Sequence, residues 1–500
     1  MLSLLTLLYL ALPYSLFAGG WLKPPLAVLV WMLLASGLAI AMKSGVTNRP
    51  PSVVAPAPRT RLLISVGLLL AALTATYWAG VGGLTFQQTD WFKHNAILND
   101  LATTTWPVTY QGSDNTSIWY LTYYFAYYLP AALIGRFAGL AAAQYTLFIW
   151  TALGLWLTLH WVHRLSGASV WLIVGGWFLF SGMDLIGVVA YGGSLRNLPT
   201  AQMMEWWAGL AQYSSNASLL QWVPQHALGG WLATAPIIAC HEEGRGNRPV
   251  LFCLALSTLW SPFATLGLLP LILASSLRQG LRPNVSLVDA AVAIPLGLLP
   301  VLFLKSVNTD GILGGLIAAT FGWLPWLRFW SLFCLLEFGL YGIMLALLVY
   351  RSPENPILHN REASRFWLWP VLGTLLVLPC FQLGEYNDLA MRASIPSLFL
   401  LWVLILRLRW RVAVEQRPWL SAFLLLSLAL GAVQPLRAIT EQVSLSRPLR
   451  FAPPQPKGGK DNSLTNSAGI PQDLIFQYLG DQNSFFYRYL AAAPVPPSEK

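Results

Sequence analysis

Long apolar runs separated by short polar ones organise the whole chain. A segment of about 20 mostly apolar residues spans the roughly 30 Å hydrocarbon core of a bilayer. Such segments fall at residues 3–20, 25–42, 62–80, 141–160, 167–190, 226–240, 285–305, 328–350, 367–383, 393–406 and 419–436. Residues 249–275 are apolar as well, but Ser261 and Pro262 interrupt them. Backbone groups freed by a proline need partners in protein or water, so this stretch predicts a broken helix or a hairpin. The pattern is that of an all-α fold, a polytopic transmembrane bundle of about 11 to 13 spans.

Basic residues set the expected orientation. They gather in short loops, at Lys43 to Arg61, His160 to Arg164, Arg245 and Arg248, Arg278 and Arg282, Arg351 to Arg365, and Arg407 to Arg417. The positive-inside rule places these loops in the cytoplasm. That threading closes only if residues 117–135 (SIWYLTYYFAYYLPAALIG) do not cross, and a Tyr-rich stretch with a proline suits a helix lying in the membrane interface. The domain reading is a transmembrane unit over 1–436, with an outer loop at 83–140, and a short non-cytoplasmic tail over 437–500. The tail opens Pro- and Gly-rich (PPQPKGGKDNS) and continues with a short amphipathic patch, which predicts a linker and a docked helix.

Composition strengthens this reading: 56% of residues are hydrophobic and 10% charged, against about 25% charged in a soluble domain. The net charge of +10 would suggest nucleic acid in a soluble protein, but here the basic residues read as topology, and no nucleic-acid partner is expected. Cys240, Cys253, Cys334 and Cys380 lie in or beside apolar segments without C-x-x-C spacing, which argues against a zinc site or a disulfide framework. Sequons at Asn115, Asn216 and Asn284 are too short a signal to use. Walker-A, dinucleotide, HExxH and GxSxG motifs are absent.

Three polar constellations stand out on the predicted outer side. TDWFKHNAILND, after the third span, holds Asp90, Lys93, His94 and Asp100; in a helix Asp90 and His94 lie one turn apart on the same face. The plain alternative is a solvated helix start with Asp90 as N-cap. QWVPQHALGGW brings Gln221, Trp222, Gln225 and His226 to the start of a span, where Trp and His also serve as interface anchors. GEYNDLAMRASIP places Glu385, Asn387, Asp388 and Arg392 between two spans, with Arg392 one turn after Asp388, spacing that also fits a local ion pair. Asp184, Asp289 and Glu337 fall within apolar segments, where an ionisable group is costly without a partner.

The order of features over residues 62–190 resembles the GT-C superfamily of membrane glycosyltransferases, which includes protein mannosyltransferases and aminoarabinose transferases. Asp90 opens the first large outer loop, YYFAYYLPAALIGRFAG supplies the Tyr- and Pro-bearing interfacial segment, and the next span ends in HWVHR. The resemblance implies transfer of a sugar from a polyprenyl-phosphate donor to a lipid or glycan acceptor on the non-cytoplasmic face. It implies a bacterial inner membrane with the site facing the periplasm, and membrane lipids as surroundings. Asp90 inherits the role of base or metal anchor, and a divalent metal ion is the candidate cofactor. The chain departs from the family pattern in two extra leading spans and in Trp91, which stands where a second acidic residue would follow Asp90.

On this reading Asp90 and His94 are the catalytic candidates, and Lys93, Asp100, Gln225, His226, Asn387, Asp388 and Arg392 the substrate-binding ones. Lys93 and Arg392 neutralise the departing phosphate. The competing reading is a transporter or flippase for a lipid-linked or small polar solute, using Asp184, Asp289 and Glu337 near the midplane. A polysaccharide polymerase or ligase of another membrane fold shares the donor class.

Overall fold

The structure is a computed structural model of the chain. It describes all residues except 44–56, 113–116, 193–203, 245–247, 279–285, 308–313, 351–359, 385, 409, 447–453, 460, 467–471 and 495–500. Glu385, Asn115 and Asn284 lie outside the described residues.

Away from water a peptide group left unpaired costs several kcal/mol, so apolar segments close their own backbone bonds as helices. In chain order, α1 (Leu2–Trp21), α2 (Pro24–Lys43) and α3 (Pro58–Trp78) lead into a loop carrying α4 (Trp91–Thr103), β1 (Thr109–Gln111), β2 (Ile118–Leu121) and α5 (Leu129–Ala138). Next come α6 (Leu140–Ser166), α7 (Val170–Leu179), α8 (Asp184–Ala190), α9 (Asn216–Trp222), α10 (Pro224–Glu242), α11 (Arg248–Trp260), α12 (Pro262–Arg278) and α13 (Leu287–Leu304). After β3 (Gly314–Leu316) and α14 (Ile317–Phe321), a π-helical turn at Leu335–Gly339 joins α15 (Trp323–Cys334) to α16 (Leu340–Tyr350). The rest comprises α17 (Arg361–Val377), β4 (Phe381–Leu383), α18 (Asp388–Ala393), α19 (Ile395–Leu406), α20 (Trp410–Gln416), α21 (Pro418–Gly431), α22 (Val433–Leu445) and β5 (Leu479–Asp481). Among the described residues, 10 helices are long and apolar enough to cross a membrane, which makes the chain a multi-pass integral membrane protein.

The interruption at Ser261 and Pro262 is a hairpin. Ser261 caps α12 by accepting the Ala264 N–H. His226, at the start of α10, bonds Ser261, and His241, at its end, bonds Ser275 late in α12. Thus α12 runs with α10, and α11 returns against both. The bundle ends differ in kind. At one, Arg407 is fully buried, pairs with Glu242 at 2.9 Å and donates through Nε to the Leu165 carbonyl, while Arg164 pairs with Glu243. At the other lie α4, α5 and the tail.

Three local expectations are corrected. Residues 117–135 are not one interfacial helix: Ile118–Leu121 is a strand, and helix begins only at Leu129. The IWYL run is β-branched and aromatic and finds two partners, β1 on one side and β5 on the other, with Leu121 opposite Leu479. The tail patch likewise docks as a 3-10 segment (Gln472–Tyr478), β5 and a π-turn (Phe486–Leu490) rather than as a regular helix. Asp289 does not sit at a midplane. It forms a capping box with Ser286 in the first turn of α13, a role its sequence position in Ser-Leu-Val-Asp allows.

Candidate functional site

The site begins where α3 turns out of the bundle. Gly80 adopts φ 78°, and a Cβ there would meet the Phe86 carbonyl oxygen at 2.2 Å, so only glycine makes this turn. It delivers Asp90 to the position before α4. The Asp90 carboxylate does not cap the helix; it pairs with Lys93 Nζ at 3.1 Å, with Lys93 at 13% side-chain exposure. Burial acts to raise the Asp90 carboxyl, but Lys93, by charge and hydrogen bond, together with Arg392 outweighs it and holds it below its ordinary range. Burial acts to lower the Lys93 ammonium, and Asp90 more than reverses this. The pair is therefore ionised in both members.

His94 lies on the same turn but faces elsewhere. Its Nε2–H donates to the Trp222 carbonyl at 2.8 Å, and its Nδ1 accepts the Tyr128 hydroxyl. Burial and the neighbouring Lys93 pull the imidazole down to about 3, so it is neutral. With both nitrogens engaged, the ring holds Tyr128 and the α9 end in place.

Arg392, some 300 positions further on, comes to the same place. Its Nη2 lies 3.0 Å from Asp388, its Nη1 donates to the Tyr124 hydroxyl at 2.7 Å, and its Nε is buried without a partner. The guanidinium carbon stands over the Tyr124 ring, whose centroid is 4.6 Å from that of His226. The Arg392 charge acts on Asp90, Lys93 and His94 alike, which brings the first and third constellations into one electrostatic unit. His226 from the second constellation joins through Tyr124. Gln225, its neighbour, is buried with neither amide atom bonded, and His226 Nε2 is also unpartnered.

Two candidates serve the scaffold instead. Asn387 is fully buried at φ 49°, accepts the Ala390 and Leu383 N–H groups, and donates to the Leu210 and Phe381 carbonyls. Asp100 faces the tail, where its Oδ2 accepts the Leu464 N–H at 2.9 Å and the Tyr110 hydroxyl at 2.7 Å. Tyr124, Tyr128 and Tyr478 were not in the sequence-derived set. For Tyr124 and Tyr128 the signal was the density of tyrosines in YLTYYFAYY, which pattern alone assigns to an interface, and for Tyr478 only its place in the amphipathic patch of the tail.

A lateral groove of about 650 Å³ lies between α3, α7, α9 and α22. Gly67, Ala71 and Ala75 leave the trough open on α3, and Val174, Phe178 and Leu220 form its far wall. Its lining follows α3 from Leu63 to Ala79, roughly 24 Å at the helical rise. It ends at Gln221, whose carbonyl accepts the indole N–H of Trp91, the residue after Asp90.

A second acidic cluster is separate. Asp184, Glu205 and Glu337 are all buried, with Glu205 taking bonds from Ser215, Ser218 and Gln212, and Glu337 one from Trp207. The span bearing Asp184 is broken between α7 and α8, and Glu337 sits within the π-turn. Metal chemistry does not fit the main site: the partner of Asp90 is an ammonium rather than a second carboxylate. Among the described residues no group of three or more His, Cys, Asp or Glu is placed to hold a metal ion. No family model, no curated protein and no solved structure matches the chain.

Proposed function

We propose that the chain is a GT-C-like membrane glycosyltransferase that moves a sugar from a polyprenyl-phosphate donor to an acceptor on the non-cytoplasmic face. The observation that carries this reading is the pair of carboxylate–cation pairs, Asp90–Lys93 and Asp388–Arg392, the first joined to an apolar groove by the bond from Trp91 to Gln221. A prenyl phosphate has that composition: a long apolar chain and a compact anion.

In the transfer, the acceptor hydroxyl oxygen bonds to the anomeric carbon as the carbon–oxygen bond to phosphate breaks, and the hydroxyl proton passes to Asp90. Arg392 offers a planar fork that stays charged on burial, and Lys93 a second cation, to receive the phosphate charge. The ion pair explains timing. While Lys93 is held at Asp90 the carboxylate is a weak base; when Lys93 turns to the phosphate, that restraint lifts. His94 orients Tyr128 and the end of α9.

Asp90→Asn keeps size and polarity and removes charge and basicity. Transfer should fall by at least about 10²-fold while the protein stays folded. Near-normal turnover would remove Asp90 from the mechanism.

The broken span at Asp184 and the π-turn at Glu337 favour a second reading, a carrier, because interrupted helices bearing buried carboxylates build solute and proton sites in transporters. The two readings part on which acids matter. Loss of solute flux in Glu337→Gln with Asp90→Asn unaffected would decide for the carrier.

A further inference from the structure

The tail is stitched into the outer face at every stage of its described course. Lys457 places its backbone N–H and its ammonium on Gln87, Asn462 donates to the Phe92 carbonyl, and Leu464 bonds Asp100. Further on, β5 extends the β1–β2 sheet, the Thr122 N–H donates to the Tyr478 carbonyl at 2.9 Å, and Tyr487 reaches Thr122. Ala492 then bonds Trp21 at the end of α1. These anchors fix the position of one residue that none of them uses, the Tyr478 side chain. Its ring meets that of Tyr123 edge-on at 5.0 Å, and Tyr123 packs on Tyr124 at 3.9 Å, the residue that holds Arg392.

Through Tyr123 and Tyr124 the Tyr478 ring is thus packed onto the residues that hold Arg392, and Lys93, Asp90 and Arg392 all act on the phenol electrostatically. Although the residue is 6% exposed, its hydroxyl makes no hydrogen bond and is not among the sealed, unpartnered atoms. Burial first, then Tyr124 and Asp90, push the phenol up to about 12 against the opposing effect of the two cations, so it is a neutral donor at physiological pH.

We propose that Tyr478 is a substrate-binding residue of this site, supplied by the tail, whose hydroxyl donates a hydrogen bond to a phosphate oxygen of the prenyl-phosphate donor held between Lys93 and Arg392. The inference rests on the glycosyl-transfer reading. A neutral donor complements the two cations: Lys93 and Arg392 already balance Asp90 and Asp388 in charge, and a phenol adds directionality without a further charge to desolvate.

The test is calorimetric titration of the detergent-solubilised full-length chain with farnesyl monophosphate and, in parallel, with farnesol. Tyr478→Phe keeps the ring against Tyr123 and removes only the hydroxyl. Farnesyl phosphate affinity should fall by about tenfold to a hundredfold, the range for a hydrogen bond to a charged group. Farnesol affinity and the apparent Tm should not change. Equal affinity of wild type and variant for the phosphate overturns the inference, and so does an equal loss for both ligands, which would make Tyr478 a wall and no more. Failure of the wild type to bind the phosphate overturns the prenyl-donor reading itself, and this inference with it.

Discussion

A lysine three positions after an aspartate on a helix surface contributes a few tenths of a kcal/mol and is screened by salt. Lys93 is different because its side chain is only 13% exposed and Arg392 and Tyr478 act on its charge, and its spacing from Asp90 was legible while its surroundings were not. The same holds for His94. Its place one turn from Asp90 was readable, but the direction of its ring depends on Tyr128 and Trp222, residues 34 and 128 positions away. Its lowered pKa carries a stability consequence. The unfolded chain takes a proton near the ordinary 6.5, whereas the folded imidazole takes one only near 3. Stability from this residue is therefore full above pH 6.5 and is lost as pH falls from there toward 3. His94→Gln, which keeps a donor for Trp222, should lower stability at neutral pH yet flatten the acid loss between those limits. Thermal unfolding of both proteins across that pH range checks it, and parallel curves would show that His94 is not the group titrating.

At the level of elements, hydropathy located ten of its eleven candidate spans, because membrane insertion imposes a length and a composition on each one, whereas 226–240 falls in α10, which is not among the ten membrane-length apolar helices. Although the pattern left a broken helix and a hairpin both open, the break at Ser261 and Pro262 was legible, because a proline interrupts the apolar run. The strands were not. IWYL and the residues around Leu479 are short, and each is stabilised by a partner more than 300 residues away, which no local pattern reports. Asp100 was read as a ligand candidate because it is an acid in an acid-poor chain, yet its work is to fasten the tail to α4. Asp100→Ala strands the Leu464 N–H and the Tyr110 hydroxyl. It should cost about 1 to 3 kcal/mol and expose the tail to limited proteolysis before the bundle unfolds. Unchanged protection of the tail would mean that β5 alone suffices to dock it.

Over the whole molecule, the Arg407–Glu242 and Arg164–Glu243 pairs lie at one end and the candidate chemistry at the other. The assignment of these ends to the two sides of a membrane is testable. Single cysteines in a cysteine-free background should react with an impermeant reagent applied from outside at position 112 and remain unlabelled at position 59. The opposite result would invert the scheme and move Asp90 into the cytoplasm. The threading put Asp90 and Arg392 on one side; what hydropathy could not supply was the side chains between them, Tyr124 above all, because packing within a bundle is not encoded in a linear pattern.

Arg407 bears on how such a molecule can work. With one buried guanidinium it ties the end of α6, through the Leu165 carbonyl, to the end of α10, through Glu242, and to the start of α17, through Ser364. Alternating access demands that the two faces open in turn, and a motion that drew α6, α10 or α17 away from the end of α19 would have to break a buried attachment of Arg407. The clasp therefore weighs for the proposed transfer reading and against the carrier reading.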